Sequence, residues 1–443
     1  MIRLQSWTPL TYLGERRVRE SNRPRARLYG TVIFGFGRRV RTNATMTIRI
    51  AMRMTSFIFI QVGPKDAARA GHRRAARTGG GRSISTRQQC RRDRRGLLGG
   101  MEIVNPYIAD ILAQPAALRD ALERYSPAAL EKIKLTDFDR VLISGMGSSY
   151  NAAYPALIRL SNQSKPVQLV NAAELLHSLN GMIGTRSLLW LNSQSGRSAE
   201  LVHLLERFRP RPPACLLTFV NDLSSPMAER ADVCIPVHAG AEATVSAKTY
   251  VNMLAVNLLA AIQLGGGDVE LAIREMLNAA EAMKTYLVNW EIRVRGLDSM
   301  LGDFERLFIL GRGSSMSAVW NGSLINKEAA GCAFEGMHAA DFRHGPLELV
   351  AAGFAAVIFA GSGSTSALNR ELALDILSYG GKVIWVDSIP DPEIPTHLLP
   401  ETSDLTRPLV EILPMQMLTL AMADRKGLEA GKFTHVGKVT DRE

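Results

Sequence analysis

The residues predict an α/β protein built as a tandem pair of doubly wound parallel sheets, each flanked by helices. The first observation behind this is a duplication: Arg140 opens RVLISGMGSSYNAA, and Arg306, 166 residues later, opens RLFILGRGSSMSAV. The second is that the likeness persists downstream. SLLWLNSQSGRSA at 187–199 is answered by AAVIFAGSGSTSA at 355–367, CLLTFV at 215–220 by KVIWVD at 382–387, and ADVCIPV at 231–237 by RPLVEILP at 407–414. The third is texture. Continuous short apolar runs suit strands covered on both faces, and here they alternate with helical spacing.

Taken in order, residues 1–100 stand apart from the rest. They hold 22 Arg and one Lys against four acids, which leaves 30 bases against 38 acids in residues 101–443. The formal net charge of +11 therefore belongs to the first hundred residues, and the body of the chain is mildly acidic. That Arg-rich stretch keeps no periodicity long enough for a core, and its apolar scrap TSFIFIQV is far shorter than the roughly 20 residues a bilayer span needs. It reads as an over-extended reading frame with Met101 as the true start, ahead of an Arg-rich transit peptide or a basic nucleic-acid-binding arm. After Pro106 an amphipathic helix is expected. The first G-x-G-S-S turn follows at Gly145–Ser149, and Leu201, Val202, Leu204, Leu205 and Phe208 line one face of a later helix. Two domains are expected, at 101–285 and 286–443.

In such sheets ligands bind beyond the carboxyl ends of the strands, at the strand-to-helix turns. The turn after Leu188-Leu189-Trp190 is crowded with hydrogen-bonding groups: Ser193, Gln194, Ser195 and Ser198. A helix start presents free N–H groups and the positive end of its dipole, and neighbouring hydroxyls add donors. With Ser148 and Ser149 from the first G-x-G-S-S turn, these residues make a neutral cup suited to the phosphate of a small metabolite. Serines as plain helix caps are the simpler alternative at one turn, but two turns this rich in hydroxyls favour phosphate. The third glycine of G-x-G-x-x-G is missing, with Tyr150 and Met316 in its place, so a nicotinamide enzyme is set aside. The four cysteines are scattered, with no C-x-x-C pair and no His at metal spacing, which implies no metal site and fits a reducing cytoplasm.

ISGMGSSYN, NSQSG, GAEATVSAK and above all NKEAAGCAFEGMHAADFRHGPLEL resemble the SIS (sugar isomerase) domain proteins. Within them the likeness is to the isomerase half of the glutamine–fructose-6-phosphate aminotransferases, and it covers nearly all of 101–443. The resemblance implies two tandem SIS domains that bind a sugar phosphate at a homodimer interface. Ser193, Gln194, Ser195 and Ser198 would hold the phosphate with help from Ser148, and Ser246 would contact the sugar or its phosphate. Glu328 would be the base that moves a proton between C1 and C2, and His344 of H-G-P would assist ring opening from the partner subunit. Lys438 would close over the substrate. No cofactor is implied, because a carboxylate and an imidazole suffice for such a proton shuttle.

The departures narrow this expectation. Those synthases begin with a glutaminase domain whose cysteine follows the initiator Met, whereas Ile2 stands there in this chain. They carry a lysine one turn before the catalytic Glu, where this chain has Ile325, and a Glu after S-Q-S-G, where it has Arg197. V-A-S is one residue short at VSAK. The pattern is closer to glutaminase-free members, the amino-sugar-phosphate deaminase/isomerases and fructosamine-phosphate deglycases. A cytoplasmic, dimeric aldose–ketose isomerase of the amino-sugar type is therefore expected, with no membrane and no nucleic-acid partner. A non-catalytic sugar-phosphate sensor is the alternative.

Overall fold

The computed structural model describes residues 105–438 apart from Ser164 and Val436, all within the compact unit that runs from Leu98 to Glu443. The Arg-rich stretch and Met101 lie outside the described residues. The first sheet comprises β1 (Arg140–Gly145), β2 (Val167–Asn171), β3 (Ser187–Ser193), β4 (Cys215–Val220) and β5 (Val233–Pro236), in the order β2-β1-β3-β4-β5. The second comprises β6 (Arg306–Gly311), β7 (Glu335–His338), β8 (Phe354–Phe359), β9 (Lys382–Asp387) and β10 (Thr396–Leu398), in the order β10-β9-β8-β6-β7. Every pairing is parallel. Read from its other edge, the second sheet repeats the first strand for strand. The expected pair of doubly wound sheets is present.

One expected correspondence is wrong. RPLVEILP at 407–414 is not the partner of strand ADVCIPV; it opens a long helix, Arg407–Lys426. The fifth strand of the second sheet is the three-residue β10. The physical reason lies in the wider spacing of apolar residues. Leu409, Ile412, Leu413, Met417 and Leu420 recur at three- and four-residue intervals, and Pro408 sits in the first turn, where it interrupts no helical hydrogen bond.

The strand at the centre of each sheet is buried along its whole length. All seven residues of β3 are buried, with Trp190 in register between Ile143 and Leu217. A buried indole needs a partner for its N–H, and Trp190 Nε1 donates to Asn257 Oδ1 at 2.7 Å while its ring stacks on Phe219. Seven helices matter for the site. They are α1 (Pro106–Glu123), α2 (Gly147–Ala152), α3 (Ala199–Phe208), α4 (Lys248–Leu264) and α5 (Val269–Val288) from the first half. From the second half come α6 (Met316–Ala330) and α7 (Arg407–Lys426). Helix α1 is capped by Asn105, whose side chain accepts the Tyr107 and Ile108 N–H groups at 2.9 and 3.1 Å. On α3, Leu201, Leu204 and Leu205 are buried while His203 and Glu206 face outward, the amphipathic stripe expected from the spacing.

Helices α4 and α7 are buried around most of their surface and share one core with the inner faces of both sheets. Polar side chains stitch this core where it would otherwise be featureless. Gln114 of α1 and Gln416 of α7 exchange amide hydrogen bonds of 2.9 and 2.8 Å, so neither buried amide forfeits its pairing.

The edge strand β10 is tied down from the side: His397 Nε2 lies 2.7 Å from the hydroxyl of Tyr286 on α5. Burial, reinforced by the nearby Arg293 guanidinium, lowers the His397 pKa from 6.5 to about 4. Between those values the unfolded chain binds a proton at this ring and the folded chain does not. Stability should therefore fall as pH drops from about 6.5 towards about 4, by about 3 kcal/mol across the window. His397→Gln should flatten that part of the profile, as read by urea denaturation at pH 7 and pH 5.

Candidate active site

The carboxyl ends of β1 and β3 deliver two turns to one side of the first sheet. After β1, Gly147, Ser148 and Ser149 open α2. After β3, Ser193-Gln194-Ser195-Gly196 turns the chain into α3. Gly196 is needed at that turn. Its φ is +61°, and a Cβ there would lie 2.1 Å from the Ser225 hydroxyl. The turn also organises its own hydroxyls: the Gly196 N–H donates to Ser193 Oγ at 3.0 Å, which sits 3.2 Å from Ser198 Oγ, and the Arg197 N–H donates to Ser195 Oγ at 3.1 Å. The side chain of Arg197 leaves the turn for the rim, where it pairs with Asp222 and the Ser224 carbonyl.

Between the turns lies a cavity of about 330 Å³. Ser148, Ser149, Ser193, Gln194, Ser195 and Ser198 all line it, and so do Ser246, Glu328 and Lys438. Nine of the ten residues expected from the sequence thus meet at one place. The tenth, His344, is exposed beyond the short helix Ala339–Phe342 and does not line this cavity.

Glu328 arrives from the second repeat. It sits near the end of α6, which lies against α2 and α4: the Ser317 hydroxyl donates to the Asn151 carbonyl at 2.8 Å and is 2.6 Å from the Tyr250 hydroxyl. The α6 surface that faces the core includes Ile325, which is fully buried, and Lys327 bonds back to Ser323 at 2.6 Å. Glu328 is left facing the cavity. Burial away from water pushes its carboxyl pKa up from 4.5 to about 7.

The cavity holds residues that sequence reasoning passed over, chiefly Glu200, Glu242, Thr244 and Phe433. Glu242 organises one wall. Its Oε1 accepts the Ala247 and Thr249 N–H groups at 2.9 and 3.0 Å, and its Oε2 accepts Thr249 Oγ1 at 2.9 Å and Lys438 Nζ at 3.1 Å. Lys438 donates as well to the Thr244 carbonyl at 3.1 Å. The loop is braced from behind by Asp110 of α1, which accepts the Ala243 N–H and pairs with Lys248. The signal for Glu242 lay inside GAEATVSAK, where the serine and lysine drew the attention.

The corresponding turn of the second repeat is filled by the protein itself. Ser315, the counterpart of Ser149, donates to Glu411 Oε1 at 2.9 Å, and Arg407 bridges Glu411 to Asp387. A buried side chain of α7 thus occupies the hydroxyl that the first copy presents to the cavity.

Beyond α7 the chain returns towards the first repeat, where Lys438 meets Glu242 and Thr244. Gly431 has φ +78°, its N–H donates to the Ala329 carbonyl at 3.1 Å, and a Cβ there would sit 2.6 Å from Tyr107 Cβ. Gly431→Ala should therefore destabilise by about 1–3 kcal/mol. Hydrogen exchange should quicken along 431–435 but hold at β1 and β3.

A model described as the SIS domain matches residues 134–263 and 300–397. A glutamine–fructose-6-phosphate aminotransferase [isomerizing] from Pyrococcus horikoshii is 30% identical over 331 residues, covering 72% of this chain and 55% of that protein. The chain thus spans about half the length of the curated relatives it matches. Two solved structures share the fold. The C-terminal domain of glucosamine-fructose-6-phosphate aminotransferase from Francisella tularensis matches at 20% identity with a TM-score of 0.64, covering 74% of this chain and 99% of that one. A phosphosugar isomerase structure from Silicibacter pomeroyi, titled as putative, matches at 24% identity with a TM-score of 0.61 and the same two coverages. With two matched segments laid over two parallel sheets, the chain belongs to the SIS domain family, with two such domains in tandem.

Proposed function

We propose that this chain binds a hexose or amino-hexose 6-phosphate and catalyses aldose–ketose exchange through an enediol or enolamine, coupled to loss or ammonia-dependent gain of the amine. The observation that carries this reading is the placement of Glu328. A carboxyl whose pKa burial raises to about 7 faces two serine-lined helix starts across one cavity. A base for carbon acids works best with a pKa near the operating pH.

In this reading the α3 start holds the phosphate through Ser193, Gln194, Ser195 and Ser198, with Ser148 and Ser149 completing the cup. The free N–H groups and dipole of a helix start suit a dianion without a dedicated cation. Glu328 removes the proton from the carbon next to the carbonyl and returns it to the former carbonyl carbon, while one proton passes from the oxygen or nitrogen of the first carbon to the carbonyl oxygen, so no net charge enters or leaves. Loss of the amine then takes up one water and releases ammonia. Ser246 and Lys438 close over the sugar from the opposite wall. His344 acts from the second subunit of a homodimer, which agrees with its exposure and its distance from the cavity of its own chain. In that dimer each site draws on both subunits.

The test is proton exchange at C1 and C2 in D2O, followed by NMR over a panel of hexose and amino-hexose 6-phosphates, with and without ammonium. Exchange should rise about tenfold per pH unit below pH 7 and level off above it, as Glu328 loses its proton. Glu328→Gln should cut exchange by about 10²–10⁴-fold with binding retained. Saturable binding with no exchange in any member would leave a sugar-phosphate sensor instead.

A further inference from the structure

Glu200 stands in the first turn of α3, two residues after Ser198, and lines the cavity. The residue is only 8% exposed, and its Oε2 is buried with no hydrogen-bond partner among the described residues. An acid in the first turn of a helix is ordinarily explained by attraction to the helix N–H groups. That suits a side chain in water, but it does not account for a buried oxygen left without a donor at the wall of a cavity. A buried acceptor without a partner weakens the fold, and such weakness is tolerated where a ligand supplies what is missing.

The charges around the cavity say which ligand. Its charged lining residues are Glu200, Glu242, Glu328 and Lys438. Lys438 is already paired with Glu242 at 3.1 Å. That leaves two carboxyl groups and, among the described residues, no further cation in the lining of a cavity that, on the reading above, also receives a phosphate. A neutral sugar phosphate adds only negative charge to this inventory. A sugar phosphate that carries an ammonium brings the opposite charge and N–H donors together. A sugar hydroxyl would satisfy the oxygen but offset no charge.

We propose that Glu200 is the specificity residue by which the cavity selects an ammonium-bearing sugar phosphate over its hydroxyl counterpart. The proposal rests on the sugar-phosphate reading and narrows it. Glu200 takes no part in proton transfer between carbons; it accepts hydrogen bonds from the substrate nitrogen.

The experiment is calorimetric binding of glucosamine 6-phosphate, glucose 6-phosphate and inorganic phosphate to the whole chain, in the wild type and in Glu200→Gln, with melting of each unliganded protein. The wild type should prefer the amine by about tenfold or more, the usual scale when a charged hydrogen bond is gained or lost in a dry site. In Glu200→Gln that preference should shrink to about twofold. Inorganic phosphate should bind unchanged, and the empty variant should melt no lower than the wild type, because an amide nitrogen can take the place of the buried oxygen that lacks a donor. Glu200→Ala reads the same ratio with the acceptor gone altogether. Equal loss for both sugars, an unchanged ratio, or a lowered melting point with an unchanged ratio would overturn the proposal and leave Glu200 a helix-start residue. A wild type that binds neither sugar would overturn the sugar-phosphate reading itself, and this inference with it.

Discussion

The site depends on one docking contact, the seating of α6 against the first repeat. Ser317 spans the gap between Asn151 and Tyr250, and Asn151 in turn meets Asn321 at 3.4 Å. These are small polar groups packed in an apolar core, where a misplaced partner leaves a donor or acceptor unpaired at considerable cost. They therefore fix the rotation and depth of α6, and with them the position of Glu328 over turns that belong to the other half of the chain. Without that seating, the second repeat would add stability to the molecule but nothing to its chemistry.

Duplication gave two equivalent turns, and the molecule treats them differently. In the first repeat the hydroxyls after β1 and β3 face an open cavity. In the second, Glu411 reaches from α7 to Ser315, and burial raises its pKa even though Arg407 lies beside it. The carboxyl acts as an internal acceptor at that turn, so the hydroxyl that faces the cavity in the first repeat is already engaged in the second.

Much of this was legible in the residues. Parallel sheets announced themselves because strands buried on both faces carry uninterrupted apolar runs, and the repeat supplied their correspondence. The serines were legible because strand-to-helix turns are short and local. The failure at 407–414 is equally physical: eight apolar-rich residues do not distinguish a buried strand from the first turns of a buried helix, and only the spacing out to Leu420 decides it. Glu200 and Glu242 were hidden for another reason. Their meaning comes from what surrounds them at long range, Lys438 for one and the lack of any donor for the other, and neither distance is written in the local sequence.

The path of residues 431–438 has a consequence for the order in which the molecule is built. Lys438 is made nearly two hundred residues after Glu242 and Thr244, the other members of the wall it completes. A growing chain can close the first sheet and present its serines to solvent long before α6 arrives with Glu328, and longer still before Lys438 arrives with its ammonium. On the proposed reading, a half-made molecule holds an anion at its helix starts without the base for proton transfer. The cavity is thereby left incomplete until both repeats have been made and packed together.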